Sequence, residues 1–389
     1  MFGCGDISTH TNEPPPPVGS KNVSDDPNHP IGNTVVILGS DFGQAGSSSI
    51  GTLSVLTVDT PRTATSNIQV THSDAIVRSF NNKLYVVNRL GGDNIQIVDP
   101  SQDFKVTLQC STGNGTNPQD IMIVSPTKGY VTLLNPSSSQ NSKLVVADVL
   151  VVNLAAKADC SDFITKTIDL SQYVADDNEP FARASSMVVI GSKVFIALQN
   201  LPKDLSLAPD QPGKIVKLDT TTDTIVDSLI LDGRNPFDMD YSPETKKIYI
   251  SDASFHDLST SFGGIEVVDP DTLTTEGILI DDLDLGASPG PLEVSGTMGF
   301  TIVSTLDPKV GSRVVSFDLK NMTASGVKTV YQGKKFIQSI AVDQNGFLLI
   351  GDRDPNINGI LFFDPDTGAK VDGPINTGPL PSSITFVDR

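Results

Sequence analysis

Two aspartates occupy matching places in this chain, each two residues after the proline of an Asn-Pro pair: Asn117-Pro118-Gln119-Asp120 and Asn235-Pro236-Phe237-Asp238. Arg183, Arg234 and Arg353 fall at comparable approaches elsewhere. Carboxylates and guanidiniums gathered round one opening would make a seat for a small polar or anionic ligand, because arginine offers planar, two-point donation. The same groups can instead pair with one another and line a water-filled passage, the commoner fate of such charges. A second candidate is Asp352-Arg353-Asp354-Pro355-Asn356-Ile357-Asn358-Gly359, where Asp352, Asp354, Asn356 and Asn358 put side-chain oxygen at alternate positions, as in a calcium loop. The run departs from that pattern: its glycine is eighth rather than sixth, and the twelfth residue is Phe363 rather than Glu. Calcium is the cofactor this run suggests, and a polar turn is the alternative.

Other chemistries are poorly supplied. The four histidines are His10, His29, His72 and His256, and the first two stand in a low-complexity leader, so a multi-histidine copper or zinc centre is excluded. No Cys-x-x-Cys-His run attaches a haem. A Ser-His-Asp triad would have to recruit His72 or His256, and His256-Asp257 are neighbours in sequence that rarely point at each other. The formal charge of −19 opposes nucleic-acid binding, which needs a cationic stripe, and opposes direct adsorption to anionic lipid. These residues lean towards binding rather than catalysis.

The elements that must position them are set by an echo. A short apolar stretch ending in Asp, once Asn, recurs at Asp59, Asp99, Asn153, Asp219, Asp269, Asp318 and Asp364, at intervals of 40, 54, 66, 50, 49 and 46 residues. That is the period of a propeller blade. Each unit shows four strand-like segments separated by turn signals; in the fifth they are Asn235–Tyr241, Lys247–Ser251, Ile265–Asp269 and Gly277–Ile280. Polar pairs such as Asn345-Gly346 supply the positive φ of tight hairpins. The pattern predicts an all-β fold: a seven-bladed β-propeller of four-stranded antiparallel blades. The first unit begins at its second strand, Val35-Val36-Ile37-Leu38, and a spare strand, residues 382–387, follows the seventh. The C-terminal strand is therefore expected to complete the first blade and close the ring. In such a ring the first strands line a central channel, and the second-to-third loops share one face with the links between blades. Those loops are the longest here (135–142, 200–213 and 252–264), which makes that face the expected site of recognition.

Residues 1–32 read as a Pro/Ser/Asn-rich tether, and 33–389 as the propeller. Cys4, after a small residue at the start of that tether, resembles the processing site of bacterial lipoproteins, where the cysteine carries lipid after an apolar signal is removed; almost all of such a signal lies outside this sequence. The expected address is the bacterial cell envelope: exported, and held to a membrane only through that lipid. Cys110 and Cys160 remain as a pair. An exported address permits a disulfide between them, whereas their expected places near opposite ends of neighbouring outer strands oppose one.

Tyr85-Val86-Val87-Asn88 followed by Ile97-Val98-Asp99, with the Asn-Pro openings, resembles the YVTN-type propeller repeat over residues 33–389. The resemblance implies a seven-bladed ring of the cell surface or periplasm. It also brings in propeller lactonases, whose channel metal is held by acids and amides, a role for which Asp120, Asp238 and Gln338 would be the residues here. The reading is a non-catalytic binding or scaffold propeller that recognises a partner protein, a glycan or a small polar ligand through its loop-rich face. The alternative is a metal-dependent hydrolase or lactonase at the channel mouth.

Overall fold

The structure, a computed structural model, describes residues 26–42, 49–135, 147–174, 181–202, 211–253, 262–305 and 310–389. Among these residues the strands form seven separate four-stranded antiparallel sheets. The innermost strands, in blade order, are Pro381–Val387, Ala75–Phe80, Pro118–Ser125, Ala184–Ile190, Pro236–Ser242, Ser288–Ser295 and Ile337–Val342. Each touches the next, and the last returns to the first, so the circle is closed around a channel. No described helix is long and apolar enough to cross a membrane.

Closure follows the expected route. The C-terminal strand Pro381–Val387 pairs antiparallel with Thr34–Ser40, from Thr34↔Val387 to Gly39↔Pro381. The ends are clasped further: Asn33 donates from its backbone to Asp388 Oδ1 at 3.0 Å, and Arg389 N donates to Asn33 Oδ1 at 2.9 Å.

The second and third strands of each blade are apolar on both faces because both are covered. Seven buried clusters result, one between each pair of adjacent blades; Tyr85, Val87 and Ile97 of blade 2, for example, pack on Ile121, Val131 and Leu150 of blade 3. Fourth strands are the wet rim, and Ile164–Ile168 is exposed along most of its length.

The recurrent aspartate proves to be a turn device. Asp99, Asp219, Asp269, Asp318 and Asp364 each accept, at 2.8–3.0 Å, the backbone N–H two residues on. This side-chain turn starts the hairpin to the fourth strand. Three of them also hold the lysine that opens the second strand: Lys83–Asp99 at 2.8 Å, Lys193–Asp219 at 2.5 Å and Lys247–Asp269 at 2.8 Å.

Cys110, in the outer strand of blade 2, is bonded to Cys160 with Cα atoms 5.6 Å apart. The objection from strand position fails because Cys160 is not on a strand. It lies in the 154–163 connection of blade 3, at φ 58°, which carries it across to the neighbouring blade. The bond closes a loop 50 residues long, for which chain entropy gives about 4 kcal/mol. The Cys110→Ala/Cys160→Ala chain is expected to lose that order of stability by denaturant titration; an unchanged midpoint would mean that the blade interface holds without it.

Candidate functional site

The channel has two mouths. One opens on the face of the second-to-third loops, the other on the face of the first-to-second turns. At the loop face is a cavity of about 280 Å³, lined by strand starts from several blades, near the small end of the roughly 300–1,000 Å³ typical of ligand sites. Its walls carry guanidiniums (Arg78, Arg89), carboxamides (Gln119, Gln199, Gln338) and serine hydroxyls. Two aromatic rings stand at the same cavity, Phe237 at 40% and Phe336 at 57% exposure.

Asp120 and Asp238 both line this cavity, as their position after Asn-Pro implies, but each is already engaged. Arg78 grips Asp120 through both oxygens, Nε–Oδ1 at 2.9 Å and Nη2–Oδ2 at 3.0 Å. Asp120 Oδ2 also accepts from Met187 N of the next blade at 3.0 Å. Asp238 accepts from Ser186 Oγ at 2.8 Å and from Leu292 N at 3.1 Å. The pattern continues with Asp240 and Val294 N at 2.7 Å, Glu293 and Val342 N at 3.1 Å, and Ser383 and Val77 N at 3.1 Å. In every case a side chain of one inner strand answers an N–H on the exposed edge of the next. An inner strand has no pairing partner on that edge, so these acceptors satisfy groups that would otherwise face the channel unpaired.

The three arginines do not form one rim. Arg183 turns away from the cavity to donate to Leu134 O at 3.1 Å and Asn135 Oδ1 at 2.6 Å, tying blade 4 to blade 3. Arg353 is buried and donates to four carbonyls, of Leu380, Pro381, Ser40 and Phe42, and so joins blade 7 to both ends of the chain. Burial pushes its pKa down to about 10. Arg234 lies over the Phe262 ring at 3.7 Å. An arginine beside a strand start bonds backbone carbonyls as readily as ligands, and the spacing cannot distinguish the two.

The calcium-like run is a turn. Asp352 accepts from Tyr331 OH at 2.5 Å and from Asp354 N at 2.7 Å, Asp354 accepts from the backbone and side-chain nitrogens of Asn356, and Asn358 donates to Gly378 O at 2.8 Å. The oxygens of Asp352 and Asp354 face these local donors. Among the described residues no group of three His, Cys, Asp or Glu side chains could share one cation. The lactonase-like set fits no better: the Asp120 oxygens face a guanidinium, whose charge repels a metal. Cys4 and His256-Asp257 lie outside the described residues, as do most of the 200–213 and 252–264 loops.

Arg78, Glu293, Phe336 and His29 are the residues that sequence reasoning passed over. Alternation gave a signal for some: Asp238 and Asp240, two apart, share one side of their strand, and Arg78 is the charged member of Ala75-Ile76-Val77-Arg78. Asp26, Asn28, His29, Pro30 and Ile31 line a second cavity, of about 390 Å³, at the turn-face mouth. A polar segment bound by two side chains has no apolar period to betray it.

Burial raises the pKa of several channel and loop-face acids. Asp238 and Asp148 are both pushed up to about 6, and Glu293, beside Asp240, up to about 8. Asp252 is raised well above the usual range by burial and then by the charge of Glu266. A carboxyl whose folded pKa is raised binds protons that the unfolded chain releases, so stability falls as pH rises from about 4 to 8. Melting by circular dichroism is expected to be several degrees higher at pH 5 than at pH 8.5; a rise with pH would show these acids to be stabilised as anions.

No protein-family model matches the chain, and no curated protein sequence is similar to it. Solved structures share its shape. A candidate 6-phosphogluconolactonase from Bacteroides fragilis NCTC 9343 superposes with a TM-score of 0.57 at 12% identity, covering 91% of this chain and 98% of that one. A functionally unknown protein from Desulfotomaculum acetoxidans DSM 771 gives 0.53 at 12%, covering 92% and 99%. The dihydro-heme d1 dehydrogenase NirN gives 0.52 at 13%, covering 94% and 76%. Likeness at this identity is likeness of fold.

Proposed function

We propose that this protein is an exported, non-catalytic binding propeller of the YVTN type whose loop-face channel mouth captures a small, hydroxyl-rich ligand of the monosaccharide or sugar-acid class. The observation that carries this reading is the pairing of two exposed phenyl rings, Phe237 and Phe336, with a cavity of about 280 Å³ that also presents guanidiniums and carboxamides. Exposed aromatic rings cost solvation unless something apolar covers them, and a sugar ring offers one apolar face and a rim of hydroxyls. Carboxamides and a guanidinium match that rim. The address rests on Cys4 as a lipid anchor and is favoured by the Cys110–Cys160 bond, since such bonds persist outside reducing compartments.

Two of the neighbours in fold bear enzyme names; a metal-dependent hydrolase uses a Lewis acid, and among the described residues no three His, Cys, Asp or Glu side chains converge to hold one. The test is calorimetric titration with a panel of neutral monosaccharides and uronic acids. At least one class is expected to saturate the wild-type protein, and Phe336→Ala to weaken it about tenfold, an aromatic contact's worth. Silence across the panel, or binding indifferent to both Phe237→Ala and Phe336→Ala, would overturn the proposal.

A further inference from the structure

At the turn face the channel is entered by the chain's own segment Asp26-Pro27-Asn28-His29-Pro30-Ile31. Asn28 meets the inner edge of blade 4 as a strand partner would. Its Nδ2 donates to Val189 O at 2.7 Å, and its Oδ1 accepts from Val189 N at 2.9 Å. Both groups of one backbone unit are answered by one carboxamide, a geometry that an aspartate or an aliphatic residue cannot reproduce. One residue on, the His29 ring lies between carboxylates, with Nε2 2.9 Å from Asp240 Oδ1 and Nδ1 3.2 Å from Asp26 Oδ2. Asp240 belongs to the inner strand of blade 5 and is almost fully covered. Glu293 from blade 6 and Arg78 from blade 2 line the same cavity, with Glu244 and Asp343 on the turns of blades 5 and 7.

We propose that the turn-face mouth is a recognition site for an Asn-His pair on an extended peptide, the carboxamide read by Val189 and the imidazolium by Asp240, and that residues 26–31 occupy it in cis. The occupying segment helps to wall a cavity of about 390 Å³ at this mouth. The charge state is consistent with this: burial favours the neutral ring, but the neighbouring carboxylates outweigh it and push the His29 pKa up to about 11.

Two measurements on the full chain test the site. In the first, the histidine rings are isotope-labelled and titrated by NMR, with His29 assigned by its loss in His29→Ala. The His29 midpoint is expected to lie at least about two units above the ordinary value near 6.5 and to fall in Asp240→Asn. In the second, a synthetic acetyl-Asp-Pro-Asn-His-Pro-Ile-amide peptide is titrated into wild type and into the folded Asn28→Ala/His29→Ala chain. Saturable binding is expected to the double variant alone, and none by the same peptide with alanine for histidine. A His29 midpoint near 6.5, equal peptide binding by both proteins, or no peptide binding by the vacated variant would overturn the proposal.

Discussion

Removal of residues 381–389 is expected to abolish cooperative folding. The truncated chain loses Phe386 and Val387 from the clusters on the two sides of blade 1, at about 1.5–3 kcal/mol for each fully buried side chain. It also loses the strand ladder from Thr34↔Val387 to Gly39↔Pro381, at about 0.5–1.5 kcal/mol per hydrogen bond, together with the Pro381 carbonyl, one of the four that satisfy Arg353. These losses together rival the whole stability of a typical domain, about 5–15 kcal/mol. The strand Thr34–Ser40 would then present a free apolar edge, an invitation to intermolecular pairing. Size-exclusion chromatography and thermal melts check this: the expected outcome is aggregate and no sharp transition. A monomer melting within a few degrees of wild type would show that the ring does not depend on its clasp.

Arg78→Met is expected to destabilise the protein by about 3–5 kcal/mol, the usual consequence of stranding one partner of a buried ion pair. The Asp120 side chain is 3% exposed and would lose both guanidinium bonds. Adding Asp120→Asn is expected to recover most of the loss, because a neutral carboxamide needs no counter-charge and its oxygen still accepts from Met187 N. Denaturant titration of the two single variants and the double variant gives the coupling directly. Independent, additive effects would mean that water in the channel already screens Asp120.

The ring was legible because its signals repeat. Six aspartates and one asparagine at matching places mark a period that no single motif would carry, and the absent first strand of the first unit is answered by the spare strand at the end. The disulfide and the roles of individual charges were not legible, because they depend on which way a loop turns. Cys160 crosses to blade 2 on a connection whose course no pattern encodes. Arg183 and Arg353 look like rim arginines in sequence and act as cross-links, since backbone carbonyls leave no trace in residue type. Asp120 and Asp238 line the mouth while satisfying the next blade's backbone, a task that residue type alone does not reveal. His29 was hidden by its setting, a stretch whose composition reads as tether throughout.

The account stands on the loop-face mouth as the ligand seat. Its most direct test is a crystal structure of the protein with the tightest-binding sugar or sugar acid from the panel. Density for the ligand is expected between Phe237 and Phe336, with carboxamide contacts from Gln199 or Gln338. Density at any other surface, with this cavity holding only solvent, would contradict the account.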